Sequence, residues 1–212
     1  SNMKYHIVMI VKEKETGFFS LLEDIAEKNG GFILTDSAVN AGISRSLLSY
    51  YEKQGYLERI AKGQYIFPSE ISDEMYSISQ RSKNLIFSHE SALFLHNMSS
   101  RTPFYHSITV PSDKRLSDRL KKECKVYYVK AELFSLGLMY SKTPHGNLVP
   151  CYDAERTICD IIRSRNRIDE ETFYDGIKQY MSGRETDIGK LGSYAEQFHI
   201  LKKVRDILGV LL

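Results

Sequence analysis

The stretch GISRSLLSYYEKQGYLERIAKGQYIFP, residues 42–68, decides how the N-terminal part of the chain folds. Ser44 predicts the start of a short helix and Gly55 its end, because serine is a favoured N-cap and glycine a favoured residue just past a helix. Two alternating runs, YLERI and GQYIF, follow and meet at Lys62-Gly63. This pattern predicts a tight hairpin after the helix.

Two more helices are predicted before this stretch. Residues 18–31, FFSLLEDIAEKNGG, have apolar residues at helical spacing and end on two glycines. In the following LTDSAVNAG, Thr35 is the predicted N-cap and Gly42 suits the left-handed terminating position. Helix, helix, glycine-bearing turn, helix and hairpin is the order of a winged helix-turn-helix. Because Ser1-Asn2 resembles a protease-cleavage remnant and Pro68 marks a boundary, we predict this domain over residues 3–68.

The third helix has two different faces on a helical wheel. Leu47, Leu48 and Tyr51 fall on the side that would pack on the first two helices. The opposite face is polar, and Arg45 on its first turn could donate a bidentate pair to guanine. We predict that this face and the hairpin tip bind double-stranded DNA through Arg45, Ser46, Ser49, Tyr50, Lys53 and Lys62.

Two other interpretations of this unit stay open. Its polar side chains could simply be solvated, or the unit could be a protein-interaction module. Residues 1–70 carry 8 Lys or Arg against 9 Asp or Glu, so the unit is not net basic.

The rest of the chain predicts a separate domain over residues 72–212, of mixed α/β structure with a helical end. Ser72 opens a predicted helix near 73–84 and Ser88 a second one, HESALFLHNM. Predicted strands are HSITV, KVYYV, LGLMYS and NLVPCY, with a basic helix between the first two. From Asp153 onward the pattern is helical and closes with a long final helix ending in KKVRDILGVLL. The expected fold class is therefore α+β.

Positive charge is concentrated in the middle of the chain. The net charge is only +2 over 212 residues, but residues 113–130, DKRLSDRLKKECKVYYVK, contain seven basic and three acidic side chains. A solvated amphipathic helix is the commonest origin of such a run. It could also be a second DNA contact or a patch that faces a toxin or RNA. Its basic residues are Lys114, Arg115, Arg119, Lys121, Lys122 and Lys125, with Lys130 at its end.

Motifs of catalysis and cofactor binding are weak in this sequence. There is no P-loop and no GxGxxG, and His89 and His96 are seven residues apart, which does not fit HExxH. The remaining alternative is a metal-dependent nuclease in the C-terminal half, with Asp113 and Glu123 as metal ligands and Lys125 near the attacking water. We expect no enzymatic activity, no cofactor and no metal.

Cysteine usage and hydropathy bear on the compartment. Cys124, Cys151 and Cys159 form no CxxC pair and are expected to be reduced thiols packed as small hydrophobes. No apolar run reaches the ~18–20 residues of a membrane span. A cytoplasmic protein without a membrane partner is the expectation.

Four segments in order resemble the AbiEi-type antitoxins of abortive-infection, or type IV toxin–antitoxin, systems. They are GYLERIAKGQYIFP in the predicted wing, SHESALFLHNMSSRTPFYHSITVP at 88–111, YDAERTICDIIRSR at 152–165, and LGSYAEQFHILKKVRDIL near the C-terminus.

The resemblance implies two activities in phage defence. The N-terminal domain would bind inverted repeats in the promoter of its own operon and repress it. The C-terminal domain would counter a nucleotidyltransferase-like toxin, and a stable complex between the two is not assumed.

Arg156 and Asp160 belong to the third of these segments and lie four residues apart. The plain interpretation is a helical i,i+4 ion pair contributing ~0.2–0.5 kcal/mol. The pair could also tie this helix to the sheet.

Overall fold

A computed structural model describes residues 16–183 and 185–209 of the chain. It contains helices and two separate sheets, one of three strands and one of five, which confirms the α+β class. The chain divides into two compact units, the first ending at Ser77 and the second beginning at Ile78. This division comes later than the predicted boundary at 68–72. One cause is that Ser77 and the buried side chain of Gln64 exchange two hydrogen bonds, of 3.0 and 2.5 Å.

Over residues 16–68, the first unit has three helices and a small antiparallel sheet. The sheet order is β1-β3-β2, and β1 was not predicted because a two-residue strand has no readable period. The elements are α1 over residues 16–28, β1 Ile33–Leu34, α2 Thr35–Asn40, α3 Arg45–Lys53, β2 Glu58–Ala61 and β3 Gln64–Ile66.

The core of the first unit joins all three helices to the sheet. Leu22 of α1, Ala38 of α2 and Leu48 of α3 are fully buried and pack in one cluster with the strand residue Ile33. The prediction of Thr35 as N-cap was wrong. The N-cap of α2 is Leu34, which has extended dihedrals because it also ends β1, and no side chain caps this helix.

The second unit is a mixed five-stranded sheet with helices. The strand order is β6-β5-β4-β8-β7, in which β4 runs parallel to β8 and β5 runs parallel to β6. The strands are β4 Ile86–Phe87, β5 His106–Pro111, β6 Cys124–Val129, β7 Leu138–Lys142 and β8 Leu148–Tyr152. The helices are α4 Glu74–Gln80, which crosses the division, α5 His89–Leu95, α6 Asp118–Glu123, α7 Ala154–Arg163, α8 Glu170–Ser182, α9 Ile188–Gln197 and α10 Leu201–Leu208, with short 3₁₀ turns at Ala131–Leu133 and Arg165–Arg167.

Several predicted helices differ from the observed ones; α5, for example, ends at Leu95 and so is shorter than the predicted HESALFLHNM. Helix α4 is shorter than predicted, and Asp73 rather than Ser72 opens it, since its Oδ1 accepts a bond from the Tyr76 backbone at 3.1 Å. The predicted long final helix is two helices. The chain breaks between them at His199, which has a left-handed φ of 56° that a helix cannot contain.

Arg156 of α7 is completely buried and bonds to the backbone of residues 133–136, the segment before β7. Its Nε donates to Asp160 at 3.1 Å, and its Nη1 donates to the carbonyls of Leu133 and Leu136 at 2.8 and 2.6 Å. The guanidinium also lies 3.9 Å from the ring centroid of Tyr152. The predicted pair with Asp160 is confirmed, but it lies in the interior, and Nη1 of Arg156 also bonds to two carbonyls about twenty positions earlier in the chain.

Gly137, between this segment and β7, lies against Arg156. Its φ of +79° is left-handed, and a Cβ added there would lie 2.6 Å from the Arg156 Cβ. The Gly137 carbonyl also accepts a bond from the Asp153 backbone at 2.7 Å. Glycine at this position therefore allows the backbone to approach α7 closely.

Candidate nucleic-acid interface

Helix α3 presents one polar face because its capping and its core contacts fix its rotation. Ser44 is the N-cap, as predicted, and its side chain accepts a bond from the Leu47 backbone at 3.1 Å. Leu48 and Tyr51 are buried below the helix. The five predicted DNA-binding residues of this helix are all exposed: Arg45, Ser46, Ser49, Tyr50 and Lys53.

The hairpin after α3 has the predicted tip. Ala61 and Gln64 are partners across β2 and β3, which leaves Lys62 and Gly63 as the two turn residues. Gly63 has a φ of +75°, which glycine adopts without strain. Lys62 is exposed.

The start of α2 connects the hairpin tip to the first turn of α3. The Thr35 backbone donates to the Gly63 carbonyl at 2.9 Å. The next residue, Asp36, has its Oδ1 3.7 Å from Nη2 of Arg45. These two contacts bring Arg45 and Lys62, which are 17 positions apart in sequence, to the same corner of the unit.

Two charged residues of this surface were not predicted. Arg59 is exposed on β2, opposite Tyr65 of β3, and adds a positive side chain to the hairpin. Alternation in YLERI would have placed Arg59 on the face of the buried Leu57 and Ala61, and the register shift between Arg59 and Ala61 breaks that alternation. Asp36 places a carboxylate beside Arg45, and only the packing of α2 against α3 reveals this contact.

Ion pairs within the chain already engage most of the basic residues of 113–130. Lys114 lies 3.5 Å from Asp113, Lys121 lies 3.6 Å from Asp118, and Arg119 lies 2.6 Å from Glu123. Such local pairs reduce the positive potential that the stretch presents to a phosphate backbone.

Lys125 does not share this surface with the α6 side chains. It lies on β6 and donates to Glu90 and to the Arg167 carbonyl, both at 2.5 Å. In the part of the chain that the structure describes, Arg115 and Lys122 are exposed residues of the stretch for which no carboxylate partner is seen.

The structure does not bring together the residues of the nuclease alternative. Asp113 follows the end of β5, whereas Glu123 precedes the start of β6, and these strands run parallel with His106 opposite Cys124. The two carboxylates are therefore at opposite ends of the strand pair, on the order of 15 Å apart at ~3.3 Å per residue. Hydrogen bonds from Arg119 and Arg81 hold the pKa of Glu123 below its ordinary value, although partial burial acts in the opposite direction.

The two histidines weighed as metal ligands have structural contacts. His89 is buried, with Nδ1 2.8 Å from the Ser88 hydroxyl and Nε2 3.1 Å from the Ser164 hydroxyl. Burial, and after it the nearby Arg163 and other cations, holds the pKa of His89 well below its ordinary value, so the ring is neutral. His96 contacts the Tyr152 carbonyl at 2.6 Å.

The other site predictions concern metals, thiols and membranes. Among residues 16–183 and 185–209, no three His, Cys, Asp or Glu side chains form a group suited to a metal ion. The three cysteines are free and buried, as predicted, and burial raises the pKa of the Cys159 thiol to about 12. None of the described helices combines the length and apolar character needed to cross a bilayer.

Comparisons with known proteins give a similar fold over most of the chain and a family match over residues 20–68. A comparison with curated proteins gives no match. The structure is similar to the crystal structure of the RV2827C protein from Mycobacterium tuberculosis, with a TM-score of 0.62 and 17% sequence identity, over 88% of this chain and 77% of that chain. At this identity the similarity shows the fold alone. Residues 20–68 match the family model described as "Transcriptional regulator, AbiEi antitoxin", and this match confirms the predicted resemblance to AbiEi-type antitoxins for this segment.

Proposed function

We propose that the chain is a DNA-binding autorepressor and antitoxin whose N-terminal domain, residues 3–68, is a winged helix-turn-helix. Helix α3 enters the major groove of the protein's own promoter, and the hairpin is the wing that contacts a phosphate or the adjacent minor groove. The family match over residues 20–68 supports a transcriptional regulator, and such a regulator requires contact with DNA. The target would be the inverted repeats that the resemblance implies.

The observation that carries this proposal is the convergence of α3 and the hairpin tip on one corner of the unit. A helix that reads the major groove needs a side chain on its first turn that reaches the base edges, and Arg45 is exposed at that position. It also needs short side chains that let the helix backbone come close to the bases, and Ser46 and Ser49 are short and exposed. Lys62 lies at the same corner through the Thr35–Gly63 bond, where it can bind a neighbouring phosphate.

Each residue type has a distinct role in this proposal. Arg45 donates to a guanine edge and determines sequence preference, whereas Tyr50, Lys53 and Lys62 contact the backbone and determine overall affinity. Arg59 joins this second group. Because the unit is not net basic, the affinity depends on these few side chains and not on a general positive field.

The test is fluorescence anisotropy of labelled promoter DNA, with shuffled DNA of equal length as the reference. Arg45→Ala should weaken promoter binding by ~1–3 kcal/mol and leave binding to shuffled DNA nearly unchanged. Lys62→Ala should weaken binding to both and reduce the slope of log affinity against log salt. Lys28→Ala removes an exposed charge from α1 and is the matched control. Equal promoter binding by Arg45→Ala and the wild type would contradict the groove assignment.

We also propose that residues 72–212 counter a nucleotidyltransferase-like toxin without catalysis by this chain and without a required stable complex. The resemblance of residues 88–111 and 152–165 to the antitoxins supports this part, and phage defence is the physiological role it implies. Since promoter DNA is the proposed target of the same chain, the cytoplasm is the proposed compartment. The residues of the nuclease alternative lie apart, so no observation favours that alternative.

The second test separates the two activities within the full chain. A variant with Arg45, Lys53 and Lys62 all changed to alanine should lose promoter binding but keep its antitoxin activity. The measurement is colony survival with the toxin induced and the variant expressed from an unrelated promoter, with protein levels checked by immunoblot. Loss of rescue at an equal protein level would show that protection requires DNA binding.

A further inference from the structure

Asp36 lies where a DNA-binding surface would be expected to avoid a negative charge. It is in the first turn of α2, its side chain is 91% exposed, and its Oδ1 lies 3.7 Å from Nη2 of Arg45, which is 75% exposed. The neighbouring Thr35 is bonded to the hairpin tip. A carboxylate at this corner would repel the phosphate backbone that Lys62 is proposed to bind.

Fold stability gives a poor explanation for this carboxylate. An ion pair between two exposed side chains contributes little, because water and salt screen it. Asp36 also favours the helix N-terminus, but that benefit is small at an exposed position. Neither effect requires that the carboxylate face Arg45 in particular.

The contact between Asp36 and Arg45 joins two helices at the proposed reading position. A guanidinium has five N–H donors in a planar fork, so one edge can face a carboxylate while other donors remain for another acceptor. A long arginine side chain otherwise samples many rotamers, and holding it reduces the entropy lost when it meets a base. Where no guanine accepts hydrogen bonds from Arg45, the Asp36 carboxylate also disfavours contact between this corner of the unit and a DNA phosphate.

We propose that Asp36 is a positioning residue that determines sequence specificity: it orients the Arg45 guanidinium toward a guanine edge and weakens binding to DNA that lacks the cognate base. This inference rests on the proposed DNA-binding function. It assigns Asp36 an effect on discrimination that is larger than its effect on promoter affinity.

The experiment measures the ratio of promoter affinity to shuffled-DNA affinity for the full chain by anisotropy at one salt concentration. For Asp36→Ala we expect shuffled-DNA affinity to rise by ~3–10-fold while promoter affinity stays equal or falls, so that the ratio drops by at least ~3-fold. Glu27→Ala, which removes an exposed carboxylate from α1, should leave the ratio within about twofold. A change of melting temperature in Asp36→Ala with an unchanged ratio would overturn the inference and leave only a role at the helix terminus.

The double variant Asp36→Ala/Arg45→Ala separates positioning from simple charge repulsion. If Asp36 acts through Arg45, removing it from the Arg45→Ala protein should not lower the specificity ratio further. If the double variant loses specificity ratio by the product of the two single-variant losses, Asp36 acts independently of Arg45, and the positioning role is overturned. Failure of Arg45→Ala alone to lower the ratio would overturn the proposed groove assignment itself. A loss with Arg45→Ala but none with Asp36→Ala would overturn only the role of Asp36.

Discussion

Arg45 of the first unit and Arg156 of the second show how burial determines what an arginine does in this chain. Arg45 is 75% exposed, and its carboxylate neighbour is 3.7 Å away. Arg156 is 0% exposed and bonds to Asp160 and to two backbone carbonyls. The first guanidinium is accessible to another molecule, whereas the second donates from Nε and Nη1 to groups of its own chain. Changes at Arg45 should therefore alter binding, and changes at Arg156 should alter folding.

The largest effect is expected from Arg156→Met. This change leaves the Asp160 carboxylate and the Leu133 and Leu136 carbonyls without their buried donor, and breaking such a set costs ~3–5 kcal/mol. Urea unfolding followed by circular dichroism measures the loss. Arg163→Met is the control, because Arg163 also bonds to Asp160 but is 33% exposed. Similar losses in the two variants would contradict the central role of Arg156.

Gly137→Ala tests the close approach of the Gly137 backbone to Arg156 of α7. Gly146→Ala is its matched control. Both glycines have left-handed φ, +79° and +88°, so alanine is strained at either position by ~1–2 kcal/mol. Only at Gly137 does the new Cβ meet another atom, the Arg156 Cβ, at 2.6 Å. We expect Gly137→Ala to lower the free energy of unfolding by ~1–3 kcal/mol more than Gly146→Ala. Equal costs would show that α7 and the segment before β7 shift apart easily.

Arg45→Lys tests whether the exposed arginine acts through its shape or only through its charge. Lysine keeps the positive charge but lacks the planar fork that pairs with guanine. Specific promoter affinity should fall by ~1–2 kcal/mol with an unchanged salt slope. The free energy of unfolding should stay within ~0.5 kcal/mol. Full retention of promoter affinity would make Arg45 a phosphate contact.

Reversing Lys121 and Lys122 to glutamate should have the smallest effect. Lys121 already lies 3.6 Å from Asp118, and the charged face of α6 is expected to be solvated and not to bind DNA. Promoter affinity should change by less than ~0.5 kcal/mol, measured by the same anisotropy titration. A loss of tenfold or more, together with reduced DNA bending, would instead assign a second DNA contact to this stretch.

The features that the sequence predicted correctly depend on local chemistry. Ser44 caps α3 and Gly63 turns the hairpin, as predicted, because a cap and a turn involve only residues next to one another in the chain. The polar face of α3 followed from helical periodicity alone. The proposed DNA-contacting set could therefore be read from one short stretch.

The features that the sequence did not predict depend on distant residues or on a backbone dihedral angle that no apolar pattern shows. The burial of Arg156 requires carbonyl acceptors about twenty positions earlier, and nothing in the spacing of Arg156 and Asp160 indicates them. The break at His199 was missed because a left-handed histidine leaves the apolar spacing of the final segment intact. The contact between Asp36 and Arg45 could not be predicted either, because it exists only after α2 packs against α3.

We propose that α3 and the hairpin tip together form the surface of this chain that contacts DNA. The most direct test is photo-crosslinking of the full chain to promoter DNA that carries bromodeoxyuridine, followed by trypsin digestion and mass spectrometry. Tyr50 and Tyr128 are matched reporters, because the two residues are 47% and 52% exposed. We expect crosslinks at Tyr50, in the tryptic peptide SLLSYYEK of residues 46–53, and none at Tyr128. Crosslinks that include Tyr128 and spare residues 46–53 would contradict this assignment of the DNA-contacting surface.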